Sequence, residues 1–484
     1  MYKKRSGQMR VEDFILPFSG KLDANNRWVK LSRIIPWEAF EEKYASKFGA
    51  VGNPAKPARM ALGALLIQTK LHITDEETVE QVQENVYLQY FVGLREYQTE
   101  APFDPSMMVY FRKRITPEML SEINEAIRVA PSKEDGKGDS GTPGGNERKD
   151  NSPTETNALP CENRGKLLLD ATCAPQDIRY PTDVSLLNEA REQLERMIDK
   201  LWENGDGNGK PRTYRECARR DYLRFIKNRK PSHKKIRQAI RVQLGYVRRD
   251  LAIVDELLAK SETNVLSEAE NAKRETIERL YDQQLTMYKN KTYRVEGRIV
   301  SISQPHVRPI VRGKAGHEVE FGAKILVSLV DGHATIEKLS WENFNEGGDL
   351  IQSVEEYRRR YGFYPEAVLA DKLFRNRENR TYCKERGIRL SGPPLGRPKH
   401  EAHRERKQLE CLDNAQRNAI EGKFGTGKRR YGLDLIMTKL KETSEVAIHL
   451  QFLVMNLELR LRFFCTFFLR RLIFARLIAF SCST

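Results

Sequence analysis

Residues 166–172 read KLLLDAT, an apolar run that leads straight into one acidic side chain, Asp170. A second apolar run, PEAVLAD at 365–371, ends in the same way on Asp371. Short apolar runs of this kind are typical of buried β-strands. If the two strands are neighbours in one sheet, their carboxylates lie at the same edge and repel each other unless a cation sits between them.

A third acidic residue, Glu421, lies in NAQRNAIEGKFGTGKRRYG at 414–432. Arg417 precedes it by four residues and Lys428 follows it by seven, so the three share one face of a helix if the helix continues past two glycines. Carboxylate oxygens favour Mg²⁺ or Mn²⁺ over zinc, and two such ions promote attack on a phosphodiester. The sequence therefore predicts a two-ion site whose metal ligands and catalytic residues are Asp170, Asp371 and Glu421.

Each of these signals is weak alone, because an aspartate after a strand is more often a turn former or a helix N-cap. Asp331 in LVSLVDGH also follows an apolar strand, but Asp-Gly predicts a hairpin turn there. Asp177 and Asp183 are predicted to be loop or cap residues. Arg417 and Lys428 have a plain alternative of their own, which is to pair with Glu421 on the helix surface.

Residues 131–160 divide the chain. The stretch 131–157 has no aliphatic or aromatic side chain, so it cannot bury enough apolar surface to offset its ordering entropy and is predicted to be a disordered linker. Apolar residues recur at helical spacing before it, which predicts a mainly α-helical domain over 1–130. After it, strands and helices alternate over 161–465, the pattern of an α/β domain, and an apolar and basic tail follows at 466–484.

The α/β domain is predicted to contain a long helical insertion at 184–295, after its first strand. Apolar residues at steps of three and four predict three or four long helices there. Two further helices are predicted at 349–360 and 376–386. The later strands are predicted at 298–303, 321–332, 334–341, 366–371 and 387–391.

Positive charge is concentrated in the insertion. The whole chain has a formal net charge of +16 and a pI near 9.4, which favours a polyanionic partner such as nucleic acid. Residues 212–250 contain fourteen Lys or Arg against three Asp or Glu, which favours contact with phosphates, although a solvated helical hairpin is the alternative. The candidate phosphate contacts are Arg219, Arg220, Lys227, Lys230, Lys234 and Lys235.

The motifs LLLDAT, FGAKILVSLVDG, LADKLFRNRENR and RNAIEGKFGTGKRRYG, in this order, resemble the bacterial insertion-sequence transposases of the DDE class. The resemblance implies an RNase H-like catalytic domain, with the acidic triad at Asp170, Asp371 and Glu421. It implies metal-dependent DNA strand cleavage and strand transfer, with Arg417 and Lys428 beside the phosphates. The family signature has a tyrosine where this chain has Asn414, which puts the end-DNA contact of that tyrosine in doubt.

Residues 55–128 resemble the helical N-terminal domain of one branch of that family. Within it, MMVYFRKRIT at 107–116 places three basic residues after an apolar turn. They are candidates to read base edges of the element ends in the major groove, or else to contact only phosphates or solvent. These residues are Arg112, Lys113 and Arg114.

The resemblance implies double-stranded DNA as the partner, both element ends and target, with a homodimer in the DNA complex and no small-molecule substrate. The N-terminus lacks a signal peptide and the seven cysteines are scattered, which predicts a cytoplasmic, nucleoid-associated protein. The apolar tail is broken by three arginines, so a membrane span is not expected. Two alternatives remain open: an RNase H-like nuclease without strand transfer, and a non-catalytic DNA-binding derivative.

Overall fold

The computed structural model describes most of the chain, and the predicted linker at 131–160 lies outside the described residues. The described ranges are 10–16, 20–49, 54–129, 163–203, 209–260, 265–314, 317–392 and 403–481.

The first part of the chain is helical, as the apolar spacing predicts. Side chains cap three of its helices: the Asn26 side chain accepts a hydrogen bond from the Trp28 N–H, the Thr74 side chain accepts one from the Glu77 N–H, and the Asn85 side chain accepts one from the Tyr87 N–H. Such caps satisfy N–H groups that the first helical turn leaves open. The helices are α1 (Arg27–Ile34), α2 (Trp37–Ala45), α3 (Ala58–Leu71), α4 (Asp75–Glu84), α5 (Val86–Phe91), α6 (Met107–Arg114) and α7 (Pro117–Val129).

One mixed sheet forms the centre of the second part. Its strands are β1 (Lys166–Pro175), β2 (Arg308–Lys314), β3 (His317–Val330), β4 (His333–Ser340), β5 (Ala367–Leu369) and β6 (Arg389–Leu390). β3 pairs antiparallel with β1 on one side and with β2 and β4 on the other. β5 lies parallel to β1 on its far side, and β6 lies parallel to β5.

Turn chemistry explains the hairpin between β3 and β4. Asp331 and Gly332 both have positive φ, 49° and 80°, as a tight two-residue turn of this kind requires. The prediction that Asp331 belongs to a turn is confirmed. α12 (Leu350–Tyr361) and α13 (Arg377–Glu385) follow, within one residue of the predicted helix bounds.

The prediction of a strand at 298–303 was wrong. The side chains of Ile299 and Ile302 are buried in the core of the insertion, whereas Val300 is buried in the core beneath the sheet. The segment passes between two hydrophobic cores and contributes side chains to both. Its apolar residues are therefore consecutive although it does not pair with a neighbouring strand. The strand that the sequence did not reveal is β2, which pairs with the first half of β3.

Four helices lie between β1 and β2 and pack around a core of their own. One of them begins with a capping box, in which the Ser267 side chain accepts from the Glu270 N–H and the Glu270 side chain accepts from the Ser267 N–H. This arrangement fixes the first turn of the helix. The helices are α8 (Asp183–Glu203), α9 (Arg215–Ile226), α10 (His233–Lys260) and α11 (Glu268–Asn290).

Two long helices, α14 (His403–Tyr431) and α15 (Lys441–Ser481), complete the structure. α15 packs against α3, α7 and β4, so apolar residues of the N-terminal helices, the sheet and α15 form one hydrophobic core. A buried amide reinforces it: Asn456 Nδ2 donates to Asn124 Oδ1 of α7 at 2.7 Å, and the Ala334 N–H donates to Asn456 Oδ1 at 3.0 Å. Within the described ranges, no helix combines the length and apolarity needed to cross a membrane.

Candidate active site

Asp170 lies in the middle of β1, which continues five residues beyond it. One of its carboxylate oxygens accepts a hydrogen bond from the Ala171 N–H at 2.8 Å. Burial raises the pKa of Asp170 to about 6, and the charges of Glu346 and Glu421 raise it too, whereas the Ala171 hydrogen bond and Arg417 oppose the shift. A cation that approaches this carboxyl group therefore stabilises its charged form.

Asp371 follows β5 by two residues. β1 and β5 pair in parallel, with Leu168 opposite Leu369, and the same register carried two residues further sets Asp371 beside Asp170. Asp371 is the N-cap of a short 3-10 helix, Lys372–Phe374, and its side chain accepts from the Lys372 N–H at 2.7 Å. Its side chain is half exposed, at 50%.

Glu421 lies on α14, which continues through Gly425 and Gly427 to Tyr431. A side chain at Gly427 would meet Leu433 and Met455, whose nearest atoms lie 3.1 and 3.2 Å from the position of a Cβ. Gly427 therefore lies where α14 packs closely on the following loop and on α15, and it does not end the helix. Arg417, one turn before Glu421, reaches Glu421 at 3.7 Å and Asp371 at 3.2 Å.

The three acidic residues line one pocket of about 450 Å³. Arg417 and Lys428 line it as well, as does Thr172. The donor set is three carboxylates beside two cations, which suits a hard divalent ion and phosphate oxygens together. In the described part of the chain, no three acidic, histidine or cysteine side chains are close enough to hold a metal, and the Arg417 guanidinium bridges two of the three carboxylates.

Two residues near this pocket carry no recognisable signal in the sequence. Glu346 is in a short 3-10 helix, and its carboxylate pairs with Lys324 of β3 at 2.9 Å. Its charge contributes to the raised pKa of Asp170. Phe424, which is buried, forms part of the pocket wall on α14. Only the packing of distant segments brings them here.

The three basic residues of α6 are not equivalent. Arg112 forms a bidentate ion pair with Asp75 of α4, with Nη2 at 2.6 Å from both carboxylate oxygens, and only 14% of its side chain is exposed. Arg114 lies over the ring of Phe48 at 4.7 Å. Lys113 is the exposed member of the three, whereas Arg112 and Arg114 have partners within the helical domain. Contact of these three residues with DNA stays a prediction.

The six predicted cations of the insertion are all exposed. Arg219, Arg220 and Lys227 line a groove of about 430 Å³ along α9. Lys230 lies in the loop after α9, and Lys234 and Lys235 lie in the first turn of α10. Positive side chains thus follow one another over two helices and the loop that connects them.

Comparison with known proteins identifies two regions of the chain. The family described as Transposase DDE domain matches residues 368–458, and the family described as Transposase domain (DUF772) matches residues 17–114. The chain is 31% identical over 187 residues to the uncharacterized protein ORF8 in the nfe locus of Rhizobium meliloti, an alignment that covers 38% of this chain and 80% of that protein. No solved structure matches the chain significantly. The chain belongs to the insertion-sequence transposases of the DDE class.

Proposed function

We propose that this transposase cuts DNA at the ends of its element and joins the freed ends to a target, and that the pocket of Asp170, Asp371 and Glu421 carries out both steps. The observation that supports the proposal most directly is the convergence of three carboxylates and two cations on one pocket. Three segments far apart in the chain contribute to it. These charged side chains do not contribute to a hydrophobic core. Carboxylates that bind metal ions, together with cations that stabilise phosphate charge, are what cleavage of a phosphodiester requires.

The topology of the sheet supports an RNase H-like fold for this domain. Antiparallel strands β4, β3 and β1 are followed by the parallel strands β5 and β6. Asp170 lies on the central strand, and Asp371 follows its parallel neighbour. The helices α8–α11 form an insertion between the first and second strands of this sheet.

Asp170, Asp371 and Glu421 would hold Mg²⁺ or Mn²⁺ as a pair of ions. When bound, the ions would supply Lewis-acid stabilisation of the phosphate and activation of the attacking water or 3′-hydroxyl. Arg417 pairs with Asp371 and Glu421 in the protein alone, and it would turn to a phosphate oxygen when DNA enters. Lys428 would neutralise a second oxygen, since charge stabilisation dominates in-line phosphoryl transfer.

The DNA partner would be held by the exposed cations of α9 and α10 and by Lys113 of α6. Element ends and target would both be double-stranded DNA, and we propose a homodimer in the DNA complex. The cytoplasm, at the nucleoid, is the proposed location. Arg112 and Arg114 are left out of this DNA surface, because they already have partners within the helical domain.

The test is to replace each acid by its amide and to measure cleavage and binding separately. Asp170→Asn, Asp371→Asn and Glu421→Gln should each lower cleavage by at least about 100-fold in Mg²⁺, and they should bind end DNA as well as the parent protein. Asp177→Asn is the matched control, because Asp177 is exposed and does not line the pocket. Parental cleavage by one amide variant would remove that residue from the site.

A second assay separates a transposase reaction from simple nuclease activity. A pre-cut element end with a free 3′-hydroxyl is incubated with a supercoiled target plasmid and Mg²⁺. The proposal expects joined products that depend on the sequence of the end. Cutting of any duplex without joining would show that the pocket serves a nuclease.

A further inference from the structure

The loop between α14 and α15, residues 432–440, presents apolar side chains to solvent beside the pocket. Leu433 and Ile436 are buried at 0% and 1% exposure, whereas Leu435, Met437 and Leu440 are 44%, 64% and 51% exposed. The loop therefore has an inward apolar set that holds it and an outward apolar set that is largely open to solvent. Clustered exposed apolar side chains of this kind mark an interaction surface.

Backbone hydrogen bonds fix this loop to the end of β1. The Ile436 N–H donates to the Pro175 carbonyl at 2.8 Å, and the Asp177 N–H donates to the Ile436 carbonyl at 3.0 Å. Ser444 of α15 donates from its hydroxyl to the Thr438 carbonyl at 2.8 Å. Because the frame is already ordered, a ligand that meets these side chains loses little free energy in ordering them.

The charges around the loop favour DNA over a protein partner. Residues 428–441 contain five Lys or Arg and one acidic residue, and Arg430, Lys439 and Lys441 are exposed. Three residues after Asp177, to which the loop is hydrogen bonded, lies an exposed aromatic ring: Tyr180, at 71% exposure, makes an edge contact with Phe321 at 5.6 Å. Proteins that insert side chains into a nucleic acid combine exposed apolar or aromatic side chains with cations that hold the backbone. The surface around this loop has the same composition.

The attachment of the loop to the end of β1 determines how far the loop lies from Asp170. Pro175, to which the loop is hydrogen bonded, lies five residues beyond Asp170 on the same strand. At about 3.3 Å per strand residue, this separation is roughly 17 Å. DNA advances about 3.4 Å per nucleotide, so a duplex with its scissile phosphate in the pocket would pass the loop about five base pairs away.

We propose that Leu435 and Met437 form a wedge that inserts between base pairs, about four to six positions from the scissile phosphate, and bends the duplex toward the pocket. Leucine and methionine are among the apolar side chains that architectural DNA-binding proteins insert in this way. Lys439 and Lys441 hold the adjacent phosphates. The inference rests on the proposed function, since the duplex must occupy the pocket for the loop to reach it.

The test places 2-aminopurine at successive positions, one to ten, of a duplex copied from the DNA that immediately flanks the gene. The full-length protein is added with Ca²⁺ to prevent cutting. Fluorescence should rise several-fold at one or two positions in the range four to six and nowhere else, because an unstacked base loses quenching. The double variant Leu435→Ala/Met437→Ala should lose this signal and should still bind the duplex.

Val311→Ala is the matched control, because Val311 is 63% exposed and belongs to β2 rather than to the loop. It should keep the full fluorescence change. Thermal unfolding of each variant is measured in parallel, and unchanged midpoints are expected because the altered side chains are exposed.

Each outcome has a definite meaning. Binding and cleavage with no fluorescence change at any position overturn the wedge and leave the proposed function standing. Absence of binding to the duplex overturns both. A double variant that keeps the fluorescence change but forms a smaller species in sedimentation shows that the loop contacts a second copy of the chain, which also overturns the wedge.

Discussion

Asp250 is a buried carboxyl with no hydrogen-bond partner at either oxygen, on the inner side of α10 in the insertion. The pKa of Asp250 is raised from 3.8 to about 7. Burial is the main cause and the charge of Glu195 contributes, whereas Arg191, Arg249 and Arg215 oppose the shift. Between about pH 4 and pH 7, the folded protein therefore binds a proton that the unfolded chain has released. The free energy of unfolding must fall as pH rises through this window.

Replacing Asp250 by Asn removes the charge and keeps the shape, so we expect the variant to be more stable than the parent at about pH 8, by about 1–3 kcal/mol. At about pH 5 the gain should be much smaller, since the parent is then protonated. Chemical denaturation at both pH values measures it. Asp282→Asn, at an exposed position of the same helical bundle, should show no such difference. Equal gains at both pH values would mean that the charge of Asp250 is not the cause.

For individual residues, the sequence identified the acidic side chains of the pocket, but it did not reveal all the contacts that these side chains make. Asp371 was predicted beside Asp170 from two similar apolar runs, and the parallel register of β1 and β5 gives the reason. The catalytic roles of Asp170, Asp371 and Glu421 stay predictions. The ion pair of Arg417 with Glu421 is the alternative that their spacing of four residues offered. The ion pair of Arg417 with Asp371 could not be predicted, because the position of Asp371 relative to α14 depends on the packing of the whole domain.

At the scale of elements, periodicity located the long helices well and the short strands poorly. The four helices of the insertion have a clear spacing of three and four, because each buries one face. β5 and β6 have three and two residues, too few for any alternation. A strand was wrongly predicted at 298–303 because the apolar residues of this segment are divided between two cores. In a single sequence, such a segment has the same apolar pattern as a buried strand.

The helices α9 and α10 provide the second prediction. If their exposed cations hold DNA through its backbone, the pair Arg219→Gln/Arg220→Gln and the pair Lys234→Gln/Lys235→Gln should each reduce the slope of log affinity against log salt by about two. Both should weaken binding to all sequences equally. Titration of a labelled duplex at several salt concentrations measures the slope.

The matched control for those pairs is Arg377→Gln/Lys384→Gln, which removes two exposed charges from α13. It should leave the slope unchanged. The same loss of slope in all three variants would mean that only the net charge of the protein matters. No loss in the α9 and α10 pairs would show that these cations only face solvent.

For the whole molecule, the main feature is a core that the N-terminal helices share with the sheet and α15. The sequence predicted a helical domain before residue 130, and the compositional break at 131–157 favours a separate unit. Long-range packing of α15 against α3 and α7 cannot be read from local patterns. The helical domain is thus held to the catalytic part by an apolar interface, and it is not merely tethered by a segment of chain.

The third prediction concerns this interface. A fragment of residues 1–130 should not unfold cooperatively and should aggregate, because it exposes the apolar faces that α15 covers in the intact protein. Coexpression with residues 158–484 should give a soluble complex that binds end DNA like the intact chain. Cooperative melting of residues 1–130 alone, measured by circular dichroism, together with selective binding of end DNA, would contradict the shared core.

The late position of α15 in the chain affects how a ribosome delivers this protein. About 310 residues separate the end of α7 from the start of α15, so at about 5–20 residues per second the first helices emerge roughly 15–60 s before their partner. During that interval their apolar faces must be shielded by chaperones or by transient self-association. Early termination or a frameshift before α15 would then leave the N-terminal helices without the element that covers their apolar faces, and the shortened chain would not be stable. Damaged copies of the gene would produce degraded chains and no inhibitors.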